Sequence, residues 1–147
     1  SADREKYIEF CKRENHKTLL GYGLALSPEQ LAAVDKEIAK LMSLTVPWDP
    51  PKTVKPKRPG IDKEEPMYAY KLKQEADGRL YKFTSSKFKT YFVMSTNCVL
   101  LADTIVGAAG TDILSVRGFI SPGTYQGYLD KEFERPHSLV VTKRVYQ

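Results

Sequence analysis

The sequence predicts an α+β fold, a small antiparallel sheet with helices packed on it. Three observations predict it. Two Ser-Pro pairs, Ser27-Pro28 and Ser121-Pro122, each precede a run of helical apolar spacing. Residues 18–26 and 138–146 are short apolar runs of strand length. Between them, Tyr91-Phe92-Val93-Met94 leads through Ser95-Thr96-Asn97 into a second helical pattern from Cys98. The chain has 147 residues, 41% hydrophobic and 28% charged. That suits one domain over 1–147 with a real core.

In chain order, Ser1 to Glu14 is charged, with Tyr7, Ile8, Phe10 and Cys11 interspersed. It reads as a short amphipathic helix with Cys11 half-buried. The charged start shows no signal-peptide pattern. Thr18 to Leu26 reads as a strand whose Gly21 and Gly23 mark a bend or a close backbone approach. Ser27-Pro28-Glu29-Gln30 is the clearest helix start. Ser27 can cap, Pro28 fits the first helical position and Gln30 completes a capping box. Leu31, Val34, Ile38 and Leu41 then form a stripe to about Ser43, read as core.

From 45 to 66 the chain carries six prolines and the basic group Lys52, Lys55, Lys57 and Arg58. Proline lacks a donor and fixes φ, so this is a long irregular loop, anchored at its start by Trp48. Met67 to Phe83 reads as a β-hairpin. Tyr68, Tyr70 and Leu72 alternate on one side of Asp77-Gly78, and Tyr81 and Phe83 on the other. The Cys98 pattern puts Cys98, Leu101, Ala102 and Ile105 on one helix face, ending at Gly107 or Gly110. Ile113 to Ile120 is a mixed apolar segment. After Ser121-Pro122, residues Tyr125, Tyr128, Leu129 and Phe133 line a helix that Arg135-Pro136 stops, and His137 leads into the last strand.

The net charge of +5 is mild. It favours an anionic partner such as a cell-wall polymer or a lipid surface. The charge is interspersed, and no aromatic-and-basic recognition motif points to nucleic acid. No apolar run approaches the roughly 18 residues of a membrane span. Two cysteines make no disulfide framework. Cys11, His16, Cys98 and His137 have no metal-ligand spacing, so no metal or cofactor is expected.

Cys98 is the candidate nucleophile. The first turn of a helix has unpaired backbone N–H groups and the positive end of the dipole, both of which favour a thiolate. A cysteine nucleophile also needs a base and a group to orient it. His16 and His137 are the two histidines, and both are candidates. Asn15, Asp103 or another polar residue would orient the imidazole. A small buried core cysteine is the plainer alternative.

The order of a strand, a Ser-Pro-Glu-Gln-Leu helix, Thr-Asn-Cys at a helix start, Ala-Ala-Gly and a Ser-Pro-Gly-Thr helix resembles the permuted papain-like cysteine hydrolases. That group includes NlpC-type peptidases and lecithin:retinol acyltransferase-like proteins. The resemblance covers roughly Thr18 to Phe133 and carries Asn97-Cys98 onto the family's Asn-Cys pair. It implies a papain-like core, Cys98 as nucleophile and a histidine N-terminal to it, a place only His16 fills. It also implies amide hydrolysis, with peptidoglycan peptide as substrate and a protein inhibitor as a partner, in a secreted effector delivered by a specialised system. A thioester-forming acyltransferase or lipid hydrolase acting on an acyl substrate is the alternative within the fold. A non-catalytic interaction module, as in viral H-box/Asn-Cys proteins, is another, with the proline-rich basic loop as its contact surface.

Overall fold

A computed structural model describes residues 3–15, 18–56, 59–60, 62–89, 98–110 and 121–146. Among them it is an α+β fold of five helices and three two-stranded sheets. The elements run α1 (Arg4–Asn15), β1 (Leu19–Leu24), α2 (Pro28–Ser43), β2 (Thr45–Pro47), β3 (Thr53–Val54), β4 (Glu65–Pro66), α3 (Tyr68–Glu75), β5 (Tyr81–Phe83), α4 (Cys98–Gly107), α5 (Pro122–Glu134) and β6 (Val140–Tyr146). The sheets are β1–β6, β2–β5 and β3–β4. The expected strand at 91–94 and the segment 113–120 lie outside the described residues. No described helix is long and apolar enough to cross a membrane.

The chain divides into two compact units. One comprises Ser1–Leu19, Val46–Lys82 and Tyr146–Gln147, the other Leu20–Thr45 and Phe83–Val145. In the first, α1 packs on α3. Phe10 is fully buried, and its ring meets Tyr68 edge-on at 5.3 Å. Arg13–Glu75 at 3.2 Å, Lys71–Glu14 at 3.4 Å and Lys6–Asp77 flank this seam. Exposed pairs of this kind contribute about 0–1 kcal/mol each. Burial of one phenylalanine contributes about 1.5–3 kcal/mol. The apolar seam therefore outweighs any one of the ion pairs beside it.

Residues 68–75 are helical, not the first arm of a hairpin. Tyr68 and Leu72 stand four apart, so their alternation with Tyr70 fits a helix as well as a strand. Ala69, Lys71, Leu72, Lys73, Gln74 and Glu75 are all good or tolerated helix residues. Asp77-Gly78 is a turn, but it stops a helix. Asp77 is left-handed, with φ 48°, and the Gly78 N–H donates back to the Lys73 carbonyl at 3.2 Å. That is the six-to-one bond of a Schellman stop. The proline-rich loop is held by the antiparallel β3–β4 pair, with Thr53 opposite Pro66 and Val54 opposite Glu65. Trp48, half-buried, donates its backbone N–H to the Leu80 carbonyl at 2.8 Å.

In the second unit, the capping box on α2 is complete. Ser27 Oγ accepts from the Gln30 N–H at 3.1 Å, and Gln30 Oε1 accepts from the Ser27 N–H at 2.9 Å. The α2 stripe is only partly core. Leu41 is buried, while Leu31 and Ile38 are 51% and 40% exposed. Its neighbour α4 is shorter, about 15 Å against about 24 Å by helical rise, and cannot cover the whole stripe. Ser121 caps α5 through the Thr124 N–H at 3.2 Å.

β1 and β6 close this unit. An added Cβ on Gly23 would lie 2.1 Å from Thr142 Oγ1, so glycine permits the approach of the two strands. Tyr22 Oη donates to Asp130 Oδ1 at 2.6 Å, and Lys143 Nζ donates to the same oxygen at 2.6 Å, tying α5 to both strands. These bonds, Lys143 first and Tyr22 second, hold the Asp130 carboxyl below its ordinary range.

Gly23→Ala is expected to destabilise the protein by about 1–3 kcal/mol, as overpacking does. Removing Thr142 Oγ1 first, with Thr142→Ala, should shrink that loss by more than half in a denaturation cycle. Asp130 also sets an acid limb. Its folded pKa is depressed, so its contribution is present above its ordinary 3.8 and is lost as pH falls through the folded value. Asp130→Asn should flatten the acid side of a melting-temperature profile relative to wild type.

Candidate functional site

α4 is the most apolar of the described helices, and it packs between α2 and α5. Cys98 is its first residue, and the thiol is free and exposed. Val99 is the buried residue of the first turn, 5% exposed, so the inward face is turned one residue from the expected Cys98 face. A helix advances about 100° per residue, and seating Val99 inward carries Cys98 toward solvent. Cys11 is the opposite case. It is 3% exposed, more deeply set than half-buried, and close enough to Tyr7 to affect its hydroxyl. A hydrogen bond with Cys11, then burial, push the Tyr7 pKa up to about 12. Of the two thiols, only Cys98 is open to a substrate.

His137 lies in the same unit as Cys98, in the turn between α5 and β6. It is exposed and left-handed, with φ 61°, three residues before the strand begins. Histidine is among the residues enriched in that backbone region. No hydrogen bond joins His137 to Cys98 among the described residues. His16 and Asn97 lie outside the described residues, and Asn15 closes α1 in the other unit.

Asp103, a candidate orienter, is half-buried on α4. Burial pushes its carboxyl above the ordinary range, and the Lys87 charge pulls against that. On α5, burial first and the Asp103 charge second push Tyr125 up to about 12. Five residues separate Asp103 from Cys98, about 140° round the helix and about 7.5 Å along it. Asp103 stands close enough to Tyr125 on α5 for its charge to act on that hydroxyl. Among the described residues no group of three His, Cys, Asp or Glu side chains could hold a metal ion.

A second feature is marked by no motif in the sequence. In the first unit a cleft of about 400 Å³ opens beside Trp48, with Asp49, Lys73, Arg79 and Tyr81 among its lining. Its outline depends on the α3 stop at Asp77-Gly78. The same dipeptide read as a hairpin turn conceals it.

The chain matches no family model, no curated protein and no solved structure.

Asp103 gives a pH signature opposite to that of Asp130. Its folded pKa is raised, so its contribution is complete below its ordinary 3.8 and is lost as pH rises through the folded value. Asp103→Asn is expected to raise the melting temperature at neutral pH and to leave it unchanged near pH 3, as read by calorimetry.

Proposed function

We propose that this chain is a thiol hydrolase with a permuted papain-like core, and that it cleaves an amide bond, with peptidoglycan peptide as the leading substrate class. The observation that carries this is the free, exposed thiol of Cys98 at the start of the ten-residue α4. There the first-turn N–H groups can receive a developing negative charge. Cys98 Sγ attacks the carbonyl carbon, and the oxyanion is held by those N–H groups. As the C–N bond breaks, the leaving amine takes a proton from an imidazolium. The imidazole then deprotonates a water that hydrolyses the thioester. His137 shares the unit of Cys98, and His16 holds the order of the resembling family. Acyl transfer differs only in the acceptor that resolves the thioester.

A second reading has its own support. Among the described residues no imidazole is bonded to Cys98, while Lys52 and Lys55 of the proline-rich loop are exposed. This suits an interaction module that keeps the scaffold without the chemistry.

Exposure alone makes Cys98 outrun Cys11 toward iodoacetamide, so the comparison that discriminates is between histidine variants. His16→Ala or His137→Ala should slow Cys98 alkylation at neutral pH roughly tenfold or more, and Cys98→Ala should abolish release of fragments from purified cell-wall peptides. Unchanged alkylation in both histidine variants, with no turnover by wild type, would replace the hydrolase with the interaction module.

A further inference from the structure

The cleft in the first unit is independent of Cys98, and its lining combines aromatic surface with charges that are already matched. Pro47, Trp48 and Tyr81 supply the apolar and aromatic part, and Tyr81 is 38% exposed. Lys73 and Asp49 are paired with each other, and Arg79 has a partner of its own. A charged ligand would have to displace one of these partners. The volume, about 400 Å³, lies at the small end of the range of small-ligand sites.

The lining sits on fixed backbone. The Trp48 N–H is bonded to the Leu80 carbonyl, and the Lys73 carbonyl accepts the Gly78 N–H that stops α3. Lys73 Nζ donates to Asp49 Oδ1, yet the Asp49 side chain is 85% exposed. The pair therefore sets a donor and an acceptor side by side at the wet edge of an aromatic surface. A hydroxyl group is both donor and acceptor. Neighbouring hydroxyls can accept from the ammonium and donate to the carboxylate together, in place of water and without parting the two.

We propose that this cleft binds an uncharged saccharide, a mono- or disaccharide unit whose ring lies on the Trp48 and Tyr81 surface and whose adjacent hydroxyls bridge Lys73 and Asp49. One face of a pyranose ring is a patch of C–H groups with weakly positive hydrogens, which suits the negative face of an aromatic ring. A proline-rich peptide also lies well on aromatic surface. It carries carbonyl acceptors with few N–H donors, and would leave the Asp49 carboxylate unanswered. The site stands whether or not Cys98 is a nucleophile.

The chain contains one tryptophan, so its emission reports directly on the cleft. The probes are cellobiose and N,N′-diacetylchitobiose, with acetyl-tetraproline-amide as the peptide arm. At least one disaccharide should give a saturable emission change with a dissociation constant below about 20 mM, a weak-site affinity. Raising the salt to about 0.5 M should change that constant less than about twofold, because the ligand forms no ion pair. Asp49→Ala and Lys73→Met should each weaken it at least about fivefold, as expected for a lost hydrogen bond to a charged group. Tyr81→Leu should weaken both disaccharides, because the aromatic face is gone. The proposal is overturned if neither disaccharide saturates, if the tetraproline peptide binds more tightly than both, or if Asp49→Ala leaves the affinity unchanged. Asp49 is exposed enough that its variant tests binding and not folding.

Discussion

Closure of β1 on β6 is the constraint on which the second unit depends. The two strands are roughly 115 residues apart in the chain, and closing such a loop costs about 4 kcal/mol before any contact is made. The return comes from contacts that only the closed pair allows. Gly23 admits Thr142, and Asp130 on α5 receives both Tyr22 and Lys143. The carboxylate is therefore a junction of three elements. With β1 and β6 fixed, the interval between them is a closed loop. Within it α4 is packed between α2 and α5 and presents Cys98 at its open end.

Local physics was legible where one residue type has one meaning. Ser27 and Ser121 followed by proline marked two helix starts to the residue, because a capping oxygen and a donor-less ring fit few other places. Short apolar runs of strand length marked β1 and β6. The helix start at Cys98 was legible for the same kind of reason. Legibility failed where a pattern is degenerate. Tyr68, Tyr70 and Leu72 satisfy both periods, and Asp-Gly supplies a left-handed residue to a hairpin or to a helix stop with equal ease. Packing on Phe10 decides for the helix, and Phe10 is nearly sixty positions away in the sequence.

The candidate site divides in the same way. That Cys98 opens a helix is local information. Which way it faces is not, because Val99 competes for the same inward direction, and the competition is settled by what α2 and α5 offer. The choice of base is wholly tertiary. A histidine serves a thiol only through the path of the backbone between them, and the residue types along that path do not encode their separation. The Trp48 cleft was hidden by a secondary-structure misreading rather than by weak residues. Trp48, Lys73 and Tyr81 were each visible, but a hairpin at 67–83 would have arranged them differently.

The glycine that lets β1 meet β6 also shapes how the chain is made. At about 5–20 residues per second on the ribosome, β1 emerges roughly 6–25 s before its partner strand exists. Throughout that interval Leu19-Leu20-Gly21-Tyr22-Gly23-Leu24 is an apolar segment without its pairing strand. Its two glycines lower the strand propensity of the segment. The glycine that makes room for Thr142 in the finished fold, Gly23, thus also weakens the unpaired segment as a template for other nascent chains.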